Sequence, residues 1–322
     1  MINILCATDN NYVQHCYIML LSLFDKNSSH EIDVYILVSE LTTESKKALN
    51  SISANPNHRV ILIEVDEKLD YCPVRDGDHI SIAAYYRILA PMLLPMQVNK
   101  ILYLDVDIII CKDISELYNT DISNYAIGAV LDNISYTGIV PLYIDTSISV
   151  YNRLNYSSSL GYVNSGVLLM NIDYWREHKI MEECLTYIRK DPDRCLIHDQ
   201  DAINYVLREQ KKLLSIKYNF QTGYLFRLNS FSPDVENELH KIIEEKSFVI
   251  LHYTYNKPWS KDNFLYKNYY LKYKKISPYA HIPIPRHSIG WRIMRWLYNL
   301  SASIGLVKPI KTFIVKNGKL DL

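Results

Sequence analysis

Apolar positions along the chain follow two rhythms in turn. Short continuous runs at 2–7 (INILCA), 32–39 (IDVYILVS) and 59–65 (RVILIEV) read as strands, and the stretches between them, 11–26 (NYVQHCYIMLLSLFDK) and 42–52 (TTESKKALNSI), read as helices. This βαβαβ order predicts a mostly parallel sheet covered by helices, because strands buried on both faces show as unbroken apolar runs. Residues 80–94 (ISIAAYYRILAPMLL) are expected to form a helix ended near Pro91 and Pro95. Further strands are expected at 100–110, 125–132, 161–172 and 247–254, with helices at 173–190 and 198–210. No internal repeat or low-complexity tract interrupts this order.

One run breaks its own pattern. In KILYLDVDIIICKD (100–113), Asp105 and Asp107 sit among residues that otherwise read as a fully buried strand. A carboxylate in apolar surroundings needs a partner or a cation. On an extended chain, side chains at i and i+2 share a face, so these two acids suit one hard divalent ion, Mg²⁺ or Mn²⁺. Ligands of parallel sheets bind beyond the carboxyl ends of the strands. Asp9, the Asp105–Asp107 pair, Asp132 with Asn133, and His252 all fall at expected strand ends. His252 adds an imidazole, which favours Mn²⁺ over Mg²⁺, and Lys257 adds a cation suited to phosphate.

Composition narrows the class. The chain has 322 residues, 48% hydrophobic and 22% charged, enough for a substantial core and against general disorder. Its formal net charge is zero, and no nucleic-acid partner is expected. From Pro285 to Leu322, however, seven Arg or Lys stand against one acid, a basic end on a mildly acidic body. Six cysteines without a CxxC pair fit a reducing compartment. The start, MINILCATDNNY, reads as a first strand rather than a signal peptide, and no segment is expected to span a bilayer.

Six stretches, ATDNNY (7–12), HISIAAYYRIL (79–89), KILYLDVDIII (100–110), YVNSGVLLMN (162–171), HDQDAIN (198–204) and HYTYNKPW (252–259), occur in an order that resembles glycosyltransferase family 8. The resemblance covers about residues 1–260. It implies an α/β GT-A nucleotide-diphospho-sugar transferase fold, a mixed, mostly parallel sheet flanked by helices. Ala7, Asp9 and Tyr12 would contact the uracil and ribose of a UDP-sugar, and Arg87 would reach the diphosphate or sugar. Asp105, Asp107 and His252 would hold Mn²⁺, with Mg²⁺ as the alternative, and Lys257 would add charge beside it. Asn164, Asp199 and Gln200 would surround the donor sugar, with Asp199 or Gln200 as the catalytic contact. Front-side return and double displacement both remain open. The pattern departs from the family's at one place: between His252 and Lys257 there is one residue fewer, and Tyr255 stands where Gly is expected.

Each residue also has a plainer role open to it. Asp9 suits a helix cap, Asp201 a helix start, and Arg87 a solvated helix position. The 133–160 region is expected to read the acceptor. In GWRIMRWLYNL (290–300), Ile293, Trp296, Leu297 and Leu300 share one helical face, with Arg292, Arg295 and Asn299 off it. A basic amphipathic helix of this kind suits an anionic membrane surface. The expected organisation is a catalytic domain at 1–280 and a membrane-association tail at 281–322. The expected function is a cytoplasmic, peripherally membrane-bound, Mn²⁺-dependent retaining transferase on the inner face of the membrane. It would move galactose or glucose from UDP to a glycan or lipid-linked glycan acceptor in lipopolysaccharide or surface polysaccharide synthesis. The alternative is a catalytically silent UDP-sugar-binding protein of the same fold. A nucleotidyltransferase would need a glycine-rich phosphate loop near the start, and the first glycine is Gly77.

Overall fold

The structure, a computed structural model, describes residues 1–74, 81–137, 149–226, 231–254, 257–260, 265–286, 288–290, 293–294, 296–297 and 300. Tyr255, Arg292, Arg295, Asn299, residues 138–148 of the expected acceptor region and the tail beyond 300 lie outside them. Among the described residues, strands β1 (Ile2–Thr8), β2 (Ile32–Val38), β3 (His58–Glu64), β4 (Lys100–Leu104), β5 (Ile108–Ile110), β6 (Ile127–Leu131), β7 (Val163–Asn171), β8 (Lys211–Leu213), β9 (Phe220–Gln221) and β10 (Ile250–His252) form two sheets. The larger has the order β3-β2-β1-β4-β7-β6-β8, and the smaller β5-β10-β9. In the larger sheet β7 runs antiparallel to β4 and β6, and every other pairing is parallel.

Strand residues alternate between two cores. Ile4, Cys6, Leu102, Leu104, Val167 and Leu169 pack on the face covered by the helix Val13–Lys26 and the smaller sheet. Leu5, Ala7, Ile101, Tyr103, Leu168 and Met170 pack on the other face, under residues 82–93, 172–188 and 202–207. Burial of both faces explains why these strands carry no polar alternation. All six cysteines are free, and Cys6 and Cys16 touch in the core, Sγ to Sγ at 3.8 Å.

Three sequence expectations change. The helix expected at 173–190 is two, Ile172–Glu177 and Ile180–Lys190, broken at Lys179 with φ +53°. Residues 80–94 do not form one α-helix: Ile82–Leu89 is a 3₁₀ helix, followed by a single α turn at Ala90–Leu93. Pro91 has no N–H to give the Arg87 carbonyl, which accepts from Ala90 instead, so the chain upstream is wound tighter. The run 100–110 is not one strand either. β4 ends at Leu104, β5 begins at Ile108, and Asp105–Val106–Asp107 is a turn that carries the chain from the larger sheet into the smaller. Among the described residues, no helix is long and apolar enough to cross a membrane.

Candidate active site

The turn at 105–107 sits where the two sheets meet, and both fix it. Asp105 N–H donates to Gly166 O of β7 at 2.8 Å, and Tyr253 N–H donates to Asp107 O at 3.0 Å. His252 closes β10 opposite Ile108 of β5, beside the turn. Side-chain oxygens of Asp105 and Asp107 and a ring nitrogen of His252 thereby converge within 4.8 Å of one another. His252 Nε2 lies 3.1 Å from Asp107 Oδ1 and 4.0 Å from Asp105 Oδ2.

Each acid is tied by one oxygen and offers the other. Asp105 Oδ1 accepts from Tyr103 Oη at 2.9 Å and pairs with an Arg87 terminal nitrogen at 3.0 Å. Asp107 Oδ2 is held by Lys257 Nζ. Burial pushes the Asp107 carboxyl up, but Lys257 and His252 outweigh it and hold it well below the usual carboxylate range. Behind the oxygens that face His252 stands Gly166: a β-carbon there would be 2.6 Å from Asp105 Oδ2 and would collide with the His252 ring. Two carboxylates, one imidazole and a glycine that leaves the space clear fit a hard divalent cation.

A buried polar row continues from this cluster. Arg87, from the 3₁₀ helix, bridges Asp105 to Asp199, with Nε 3.0 Å from Asp199 Oδ2. It therefore lies beneath the acids, buried over the Tyr103 ring, and not as a solvated helix residue. Burial works against its charge, but Asp105 and Asp199 outweigh that and hold its pKa above the usual arginine range. Burial also pushes the Asp199 carboxyl up to about 6, against the pull of Arg87. The Arg87 Nε–H donates to Ala84 O, so Asp199 Oδ2 has an ion-pair neighbour without a hydrogen bond.

Asp199 and Gln200 enter the site through a strained residue, His198, held at φ +51°. Gln200 Oε1 accepts from Ser165 N–H at 2.9 Å, and Gln200 Nε2 donates to Asp132 Oδ2 at 3.3 Å. Asn164 Nδ2 donates to the same Asp132 oxygen at 2.9 Å. Asp201 turns away from this group: it pairs with Arg153, accepts from Tyr162 Oη at 2.7 Å and reaches back to Ile197 N–H at 2.7 Å. It anchors the start of the helix His198–Val206, whose first turn carries its two neighbours.

At the other end, Ala7 and Thr8 finish β1 and Asp9 starts the turn into the first helix. Asp9 Oδ1 accepts from the N–H groups of Asn11 and Tyr12, at 2.8 and 3.1 Å, and so closes the turn before the helix; the N-cap is Tyr12, not Asp9. Tyr12 packs edge-on against Trp259 at 5.6 Å, and Trp259 stacks on the His15 ring at 3.8 Å. This aromatic group ties the chain segment bearing Lys257 to the end of β1. A cleft of about 540 Å³ opens here, bordered by Asn11, Tyr12, His15, Ser81 and Trp259 but not by the two acids or His252.

The structure thus brings Asp105, Asp107, His252 and Lys257 into one cluster, links it through Arg87 to Asp199, and sets Asn164 and Gln200 on Asp132. Ala7, Asp9 and Tyr12 stand at the end of β1, next to β4. Sequence reasoning missed Gly166, Tyr103 and Asn219. A glycine inside a strand signals close approach and would have marked Gly166; Tyr103 and Asn219 carry no such signal.

An α/β fold of this order, with acids on the turn that leaves the central strand, is the GT-A arrangement of nucleotide-diphospho-sugar transferases. The chain belongs to glycosyltransferase family 8, described as "Glycosyl transferase family 8", whose sequence profile matches residues 3–263. It is therefore a glycosyltransferase. General stress protein A of Bacillus subtilis is 26% identical over 288 residues, 88% of this chain and 96% of that one. The lipopolysaccharide 1,2-glucosyltransferase of Escherichia coli K12 is 26% identical over 263 residues, 81% of this chain and 73% of that one. Among solved structures, the galactosyltransferase LgtC in complex with donor and acceptor sugar analogs superposes with a TM-score of 0.73 at 21% identity. That likeness covers 90% of this chain and 99% of LgtC, and it is one of fold.

Proposed function

We propose that this glycosyltransferase is a Mn²⁺-dependent retaining enzyme. It transfers galactose or glucose from a UDP-sugar to a glycan acceptor in the synthesis of lipopolysaccharide or another surface polysaccharide. The observation that carries the reading is the convergence of Asp105, Asp107 and His252 within 4.8 Å, with Lys257 against Asp107. The names of the E. coli glucosyltransferase and of LgtC support glucose or galactose as the sugar.

When the anomeric bond breaks, negative charge accumulates on the departing diphosphate. A divalent cation held by Asp105, Asp107 and His252 would supply electrostatic stabilisation of that charge. Lys257 adds a second positive group at the same end. Ala7, Asp9 and Tyr12 hold the nucleoside, and Asn164 with Gln200 orients the sugar. Burial of Asp199 against Arg87 makes it a poor attacking group and supports front-side return, with a diphosphate oxygen taking the acceptor proton. Its ionised form stabilises the positive charge that develops on the sugar.

Domain organisation follows the same reading: a catalytic unit at 1–280 and a tail at 281–322 that docks on an anionic membrane surface. Exposure of Ile289, Ile293, Met294, Trp296, Leu297 and Leu300 supports it. The enzyme would then act at the inner face of the membrane, in the cytoplasm, on a lipid-linked acceptor.

The test is UDP release from UDP-galactose and UDP-glucose, with and without Mn²⁺, in wild type and Asp107→Asn. Mn²⁺-dependent release that disappears in the variant is expected. Mn²⁺-dependent UDP binding without release on any donor or acceptor would favour the catalytically silent binding protein. No UDP binding would overturn the assignment of the site.

A further inference from the structure

His252 faces the two acids with one nitrogen only. Its other nitrogen, Nδ1, lies 2.9 Å from Asn219 Oδ1. Asn219 stands just before β9, whose parallel register with β10 places Gln221 opposite His252. Asn219 Nδ2 donates to Asn164 Oδ1 at 2.9 Å, and Asn164 Oδ1 also accepts from Gly166 N–H at 3.1 Å. His252, Asn219 and Asn164 are all buried.

The orientation of each amide follows from its partners. A backbone N–H can only donate, so Gly166 requires Asn164 to present its oxygen. The Asn164 NH₂ then faces Asp132, where a carboxylate oxygen accepts it at 2.9 Å. With the Asn164 oxygen fixed, Asn219 must turn its NH₂ toward it and its oxygen toward His252. An amide oxygen only accepts, so the hydrogen between Asn219 and His252 resides on Nδ1.

We propose that Asn219 is a positioning residue for cation binding. By holding a hydrogen on Nδ1, it leaves Nε2 as the ring nitrogen able to act as a ligand, aimed at the space between Asp105 and Asp107. The opposite neutral tautomer would set a ring lone pair against the Asn219 oxygen and point an N–H at the ion. Thus a backbone N–H on β7 of the larger sheet determines, through two amides, which nitrogen of a β10 histidine meets the cation. This inference rests on the reading of His252 as a metal ligand.

The test has two readouts on the full chain. Nitrogen-15 NMR of the His252 ring, assigned with His252→Gln, is recorded without metal and with Mg²⁺; a hydrogen on Nδ1 is expected in both. The neutral form with its hydrogen on Nε2 alone would overturn the inference, and this measurement needs no variant at position 219. Mn²⁺ affinity, read from free Mn²⁺ by electron paramagnetic resonance without nucleotide, is expected to fall about tenfold or more in Asn219→Ala. Asn219→Asp keeps an oxygen against Nδ1 and is expected to retain Mn²⁺ binding, even if less stable to heat. Equal loss in both variants, or unchanged affinity in Asn219→Ala, would overturn the inference alone. Failure of wild type to bind Mn²⁺ would overturn the metal reading and this inference together.

Discussion

Gly166 and Asp105 are joined twice. The Gly166 carbonyl accepts the Asp105 N–H at 2.8 Å, and the missing Gly166 side chain leaves the space in which Asp105 Oδ2 lies. A methyl group there has no room unless the acid or His252 moves, since the β7 backbone is held in its sheet. Gly166→Ala should therefore lower Mn²⁺ affinity about tenfold or more, while the protein stays folded. Manganese titration beside a thermal melt checks this, and unchanged affinity would mean that the ion binds elsewhere.

Lys257 ties down Asp107, and in the proposed reaction it contributes charge at the diphosphate end. Replacing it by Met removes a cation that acts most strongly as the leaving group becomes charged. The kcat for UDP release should drop about 100-fold, with a smaller change in KM, by analogy with the loss of one oxyanion donor. A rise in KM alone would mean that Lys257 acts in binding the ground state.

Asp199 supplies a pH signature. Its carboxyl is pushed up to about 6 by burial, above the value of about 4 in an unfolded chain. The folded protein thus holds a proton there that the unfolded chain has already lost. Stability from this group is present below about pH 4 and is lost as pH rises to about 6, an effect of order 3 kcal/mol. Denaturant unfolding between pH 4 and 7 should show that decline in wild type and not in Asp199→Asn. Activity should move the other way, rising with an inflection near pH 6 that the variant lacks. Parallel stability curves for the two proteins would show that Asp199 titrates at an ordinary value.

The Arg153–Asp201 pair should matter through its neighbours. Asp201→Ala leaves Arg153 without its carboxylate and frees Ile197 N–H and the Tyr162 hydroxyl. Breaking a buried pair from one side costs about 3–5 kcal/mol, and the first turn of the helix His198–Val206, which carries Asp199 and Gln200, should loosen with it. Urea unfolding and kcat should both fall. Full activity in the variant would separate that anchor from the site.

For the tail, co-sedimentation with phosphatidylglycerol vesicles is expected in the full chain at low salt. It should vanish without residues 281–322 or with neutral phosphatidylcholine vesicles, while UDP release from a soluble acceptor reaction persists. Binding that survives loss of the tail would place membrane contact on the catalytic unit.

How far the molecule could be read from its sequence depended on whether an element declares its neighbours. β1, β2 and β4 announced themselves because strands buried on both faces are mostly apolar, interrupted here only near their ends, as at Asn3 and Asp33. The run 100–110 misled for the same reason: β4 and β5 are equally apolar, and nothing in their residues says that they belong to different sheets. Pro91 predicts a helix end, yet its effect reaches upstream and tightens Ile82–Leu89. Asp105, Asp107 and His252 were legible because acids in an apolar run are costly and because the surrounding stretches recur in order. Arg87 is expected from the resemblance to reach the diphosphate or sugar, or else to be a solvated helix residue; its bridging of Asp105 and Asp199 depends on a fold in which three segments meet. Asn219 was silent, since its role comes from the register between β9 and β10.

The passage of the chain between sheets at Asp105–Val106–Asp107 has a thermodynamic consequence. Asp105 is anchored to the larger sheet through Gly166, while His252 belongs to the smaller one. An ion held by both would act as a rivet across the joint, and any opening of the joint would have to release it. The two sheets would then resist separation by an amount that grows with the logarithm of free cation concentration. Melting temperature in this protein would become a gauge of the metal supplied to it.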